Sequence, residues 1–111
     1  MKSYGTALDL KDNQEIRDKY IEYHRAVWPD VLAGLRGVGI TGMKIFLHGN
    51  RLFMYLEAED TFVPERDFPR YMESGRAGEW DELMRTFQQP IPGAAAGDWW
   101  SGMDEVFDLN W

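Results

Sequence analysis

Residues 43–58, MKIFLHGNRLFMYLEA, constrain the fold more than any other stretch of the chain. Gly49-Asn50 is a tight-turn signal between two apolar runs, so Met43–Leu47 and Leu52–Ala58 read as the two strands of a hairpin. Side chains alternate between the faces of a strand. Met43, Ile45, Leu47, Leu52, Met54 and Leu56 therefore form one set, and Phe46, Phe53 and Tyr55 the opposite set. Both sets are large and apolar. A sheet with two apolar faces needs cover on both, which excludes a simple sheet with one solvated face.

The flanking segments suggest what covers one face. In Ser3–Leu10, Tyr4, Thr6, Leu8 and Leu10 alternate with Gly5, Ala7 and Asp9, the pattern of a half-buried strand. A helical period follows: Ile16, Tyr20, Tyr23, His24, Val27, Val31 and Leu35 recur at threes and fours. Asp12 or Asn13 is placed to cap it, Glu15 falls in its first turn, and Gly37 and Gly39 end it. Pro29 has no N–H to offer the carbonyl of Arg25, so a bend is expected there. Residues 60–87 read as helical in two pieces, with Pro64 and Pro69 limiting the first to short turns. In the second piece Trp80, Leu83, Met84 and Phe87 form an amphipathic stripe. QQPIPGAAAGDWW reads as a loop and Gly102–Leu109 as a last strand.

This β-α-β-β-α-β order is the ferredoxin-like split motif: an α+β fold with an antiparallel sheet and its helices on one face. The helices are then used up. The other sheet face is expected to meet a second copy of the chain, giving a homodimer packed through the sheets, or to form a ligand cleft.

Length and composition set the remaining bounds. The 111 residues make a single domain, 1–111. No run of 18 apolar residues is present, so no membrane span is expected. The N-terminal residues lack a secretory signal, and a cytoplasmic protein is expected. There are no cysteines, which removes disulfides and thiolate metal sites. A net charge of -7 disfavours nucleic acid and argues mildly against phosphorylated substrates. Five Trp, five Tyr and six Phe supply either a core of large rings or a pocket that holds the apolar side of a neutral small molecule.

His24 is the residue best suited to proton chemistry, because an imidazole titrates near pH ~6.5. Tyr20 lies one helical turn before it, Tyr23 beside it and Trp28 one turn after it. The alternative is a core histidine bonded to nearby backbone. His48 sits at the hairpin tip and reads as solvated. The two histidines lack metal-ligand spacing, and no glycine-rich phosphate loop or serine nucleophile motif occurs. Asp9 and Glu105 are carboxylates among apolar neighbours, either partnered near a pocket or solvated at a strand edge. Trp99-Trp100, after a glycine-rich loop, are rings placed to close over something.

Tyr20 four before His24, HRAVWPDVLAGL, the Gly39–Leu47 strand, Trp80 with Leu83-Met84, and the terminal EVF of Glu105–Phe107 together resemble the L-rhamnose mutarotase family. The resemblance covers nearly the whole chain. It implies a dimeric α+β barrel, no cofactor, no metal, and interconversion of the α and β anomers of a 6-deoxyhexose pyranose. It also implies that His24 transfers the proton, with Tyr20 beside it, and that Trp80 lines the pocket. Rhamnose-specific members often carry a tyrosine where this chain has Met43 and a second tryptophan where it has Asp81. Both positions are expected to touch sugar, and their change favours an L-fucose type of substrate as much as L-rhamnose. Trp28 and Glu105 complete the candidate substrate contacts. The same fold hosts cofactor-independent monooxygenases, and a non-catalytic binding module is a further alternative.

Overall fold

The computed structural model describes all residues, Met1–Trp111. Its elements run β1 (Lys2–Leu10), α1 (Gln14–His24), α2 (Pro29–Gly37), β2 (Ile40–His48), β3 (Arg51–Ala58), α3 (Pro64–Met72), α4 (Ala77–Arg85), β4 (Gln88–Gln89) and β5 (Ser101–Met103). The sheet is antiparallel with strand order β2-β3-β1-β4, and β5 takes the same edge of β1 as β4. This is the expected ferredoxin-like α+β fold.

The hairpin turns where expected. Gly49 has φ +62 and no other residue type takes a positive φ, so the turn has glycine at its first central position. A bulge at Ile40/Gly42 shifts the register of β2. Ile40 and Met43 therefore both face the helices although they stand an odd number of residues apart.

The helix face of the sheet holds the core. Leu10 and Leu52 meet Tyr20, Val31, Tyr71, Trp80 and Met84 in one cluster. Ile40, Leu56, Ala58 and Phe62 form a second. Phe62 is fully buried, edge-on to Tyr4 at 5.9 Å and to Phe68 at 5.4 Å.

The opposite face is open. Phe46 and Phe53 stack across β2 and β3 with centroids 6.2 Å apart, and they are 55% and 37% exposed. Asp9 lies on this face, buried and paired with Arg51. No helix is long and apolar enough to cross a membrane.

Three expectations need correction. The single bent helix is two helices. Asn13 caps the first, its side chain accepting from the Ile16 N–H, but Pro29 starts a new helix. Proline suits the first helical position, where its missing N–H costs nothing, and it holds Trp28 extended. The stretch from Pro64 is one helix to Met72, with Pro64 at its start and Pro69 accommodated inside it. The last strand covers only Ser101–Met103, paired with Ala7 to Gly5 of β1, and the ladder ends there although Lys2, Ser3 and Tyr4 continue along that edge. Val106, Phe107 and Leu109 lie exposed beyond it.

Candidate active site

His24 ends α1 and is half-buried. Its Nδ1 lies 2.8 Å from the carbonyl oxygen of Tyr20. A carbonyl can only accept, so Nδ1 carries a proton and Nε2 is left as the nitrogen free to exchange one. Burial pushes the imidazole pKa below its ordinary value, and the bond to the Tyr20 carbonyl opposes that shift.

A row of rings runs from this point. Tyr20 and His24 adjoin with centroids 4.2 Å apart and ring planes tilted by 34°. His24 meets Trp80 edge-on at 5.4 Å, and Trp80 meets Trp28 at 5.2 Å. The helical spacing of Tyr20 and His24 and the start of α2 at Trp28-Pro29 place the first three; α4 brings Trp80 beneath them. Trp80 and Tyr20 are buried, whereas His24 and Trp28 keep partly open surfaces. The guanidinium of Arg76 lies 4.2 Å from the Trp28 ring and pairs with Glu79.

The Tyr20 hydroxyl is bound from behind. Gln88 Nε2 donates to it at 3.3 Å, and Trp99 Nε1 donates to Gln88 Oε1 at 2.9 Å. Burial pushes the Tyr20 phenol up to about 12. The arrangement thus joins one imidazole, its pKa lowered by burial, to a buried phenol that stays protonated, beside an aromatic wall. Such a pair can accept a proton at one point and donate a hydrogen bond at another.

The L-rhamnose mutarotase family model matches residues 3–109. The chain belongs to that family. Among its relatives, an L-fucose mutarotase of Xanthomonas campestris is 34% identical over 105 residues, which is 93% of this chain and 84% of that one. A UPF0734 protein of Dictyostelium discoideum is 50% identical over 114 residues, covering 99% of this chain and 91% of the other. The crystal structure of an L-rhamnose mutarotase from Formosa agariphila shares the fold with a TM-score of 0.70 over 98% of this chain and 99% of that one, at 18% identity.

The family's other candidate positions scatter. Met43 faces the helices but packs against the second core cluster, not against the His24 row. Asp81 pairs with Arg85 at 2.8 Å on the outer side of α4. Glu105 is exposed and takes a hydrogen bond from Ser3 Oγ at 3.4 Å, beside the open sheet face that carries Asp9. Glu105 and Asp9 are therefore not brought to His24 within one chain. His48 is exposed at the hairpin tip, as expected. Two surface clefts lie elsewhere: one of about 360 Å³ between α2 and the α3–α4 connection, the other of about 520 Å³ on the outer side of α1. No group of three or more His, Asp or Glu is arranged to hold a metal ion.

Gln88 was not legible as a site residue. A lone glutamine before Gln89 and Pro90 carries no motif. Its one clue is position: it follows the apolar stripe of α4 by a single residue after Phe87, where a polar side chain turned inward needs partners.

Proposed function

We propose that the protein is a mutarotase that interconverts the α and β anomers of a 6-deoxyhexose pyranose by acid/base ring opening at His24. The observation that carries this reading is the bond from His24 Nδ1 to the Tyr20 carbonyl, which commits one nitrogen and leaves Nε2 for the substrate. In the forward direction Nε2 takes the proton of the anomeric hydroxyl as the C1–O5 bond breaks. The imidazolium returns a proton to O5, and the free aldehyde turns about C1–C2. The same steps in reverse close the ring on the other face. No net proton is consumed, and one positioned acid/base group contributes about 10²–10⁴-fold. The partly open ring of Trp28 offers an apolar surface for the C–H face or C6 methyl of the sugar.

L-Fucose is the preferred substrate in this reading. Its support is the L-fucose mutarotase relative, similar over 93% of the chain. The working unit is a homodimer, formed through the open sheet face that carries Phe46 and Phe53.

The test is saturation-transfer NMR on L-fucose and L-rhamnose with wild type and His24→Ala. Wild type should accelerate anomer exchange, more for L-fucose, and His24→Ala should lose about 10²–10⁴-fold. Full acceleration by His24→Ala would overturn the assignment. Sugar affinity without any acceleration would leave a binding module.

A further inference from the structure

We propose that Gln88 and Trp99 are positioning residues that hold Tyr20 as a one-way hydrogen-bond donor toward the sugar. The inference rests on the mutarotase reading and assigns to two residues outside the His24 row a definite part in it.

The argument begins at Trp99. An indole N–H can donate but not accept, so the Gln88 atom 2.9 Å from it is the carbonyl oxygen. That contact settles which way the amide faces. The NH₂ end must then point at Tyr20, where Nε2 lies 3.3 Å from Oη. A donor already occupies that oxygen, so the phenolic proton must be directed away from Gln88. The phenol has no acceptor of its own among the protein's hydrogen bonds, unlike Tyr55, whose hydroxyl donates to Glu57 at 2.6 Å. A buried hydroxyl with an uncommitted proton is costly unless something takes it up. A pyranose oxygen is an acceptor of the right kind. With its pKa raised to about 12, the phenol stays protonated across the working pH range.

The network continues outward. Arg85 lies 4.8 Å from the Trp99 ring and bonds Asp81 at 2.8 Å. Asp81 therefore steadies the indole from α4 and acts through Trp99, without touching sugar itself. This supplies a use for one tryptophan of the loop that precedes β5.

Two variants separate positioning from mere support. Trp99→Phe keeps the ring beneath Arg85 and deletes the N–H, freeing the amide to flip. Gln88→Glu, assayed at pH 8, keeps an acceptor for Trp99 but also draws the Tyr20 proton to itself. Each should lower kcat for anomer exchange by roughly 5- to 10-fold, the scale of one hydrogen bond, with KM nearly unchanged. A purely structural bridge would be restored by Gln88→Glu, because both neighbours keep a partner. Wild-type kcat in both variants, or in Gln88→Glu alone, overturns the inference. An activity-free readout is the Trp99 indole N–H resonance, expected to be protected from exchange and to move in Gln88→Leu; an unprotected or unmoved resonance also overturns it. If wild type accelerates neither sugar, the mutarotase reading fails, while the indole resonance still reports whether the network exists.

Discussion

His24 Nδ1 stands 2.8 Å from the backbone oxygen of Tyr20, and the two rings adjoin at 4.2 Å with their planes tilted by 34°. One helical turn thus delivers both the orientation of the imidazole and the phenol beside it. The relation needs only a four-residue spacing at the end of α1, yet it determines which nitrogen can exchange protons.

The first prediction concerns pH. Burial lowers the His24 pKa, so the neutral form persists to more acid solution than a free imidazole. If neutral Nε2 is the active form, the rate should be flat above pH ~6.5 and fall only as pH drops through a lower value. Stability follows the same sign. A depressed folded-state pKa means the unfolded chain binds the proton first, so the contribution is whole above about 6.5 and lost as pH falls through the folded value. Rate–pH profiles with NMR titration of the His24 ring check this. A midpoint above 6.5 would contradict it.

The second prediction tests the helix layer. A Cβ on Gly34 would lie 2.5 Å from Ser74 Oγ and 3.2 Å from the Tyr71 ring. Gly34 is where α2 approaches α3, and a Cβ fits only if the Ser74 hydroxyl leaves its place and the Tyr71 ring gives slightly. Gly34→Ala should destabilise the fold by about 1–3 kcal/mol, read from urea denaturation. An unchanged midpoint would mean the two helices part easily.

Much of this arrangement was legible before the coordinates. The hairpin, β1, the N-cap at Asn13 and the Trp80 stripe all followed from local periodicity and turn chemistry, which tertiary contacts reinforce. The split of the long helix was half legible: Pro29 forced an interruption, but a bend and a fresh start differ only in what Trp28 does. Pro64 misled because a helix-breaking residue is also a good first residue. The C-terminal strand was read too long: Glu105–Leu109 alternate well, yet the pairing ends at Met103 opposite Gly5 although Lys2–Tyr4 continue on that edge of β1. Around His24, the neighbouring Tyr20 was readable from helical spacing, whereas Trp80 was placed there by the family resemblance, and the three rings do adjoin. The Gln88–Trp99 bond joins residues on either side of a loop without periodicity, and only the fold brings them together.

Asp67 gives a third prediction. It is almost wholly buried, 1% exposed, and accepts from Arg66, from the Val63 N–H and from Arg70. These donors, Arg66 foremost, hold its carboxyl far below the ordinary range. The carboxylate's contribution should be intact above pH ~4 and lost as acid approaches its depressed folded value. Asp67→Asn should lower the urea midpoint at neutral pH, and its gap from wild type should narrow on acidification. A gap that stays constant would show that the charge contributes nothing.

The last prediction concerns the face that the helices leave bare. Phe46 and Phe53 stack at 6.2 Å on the open sheet surface, with Met103 54% exposed on the neighbouring edge. A Cβ on Gly5 would lie 3.1 Å from the Phe53 ring, so the ring lies flat across β1 and widens the apolar patch. Such a surface gains about 25 cal/mol for each Å² it removes from water, and a second copy presents the same surface in return. Lysines at both positions would set four like charges against one another across that contact. Phe46→Lys combined with Phe53→Lys should therefore convert a dimer to a monomer in sedimentation velocity, while far-ultraviolet circular dichroism stays unchanged because neither ring belongs to the helix-side core. A wild-type chain that sediments as a monomer at micromolar concentration, or a double variant that remains dimeric, would mean that something other than a second sheet covers these rings.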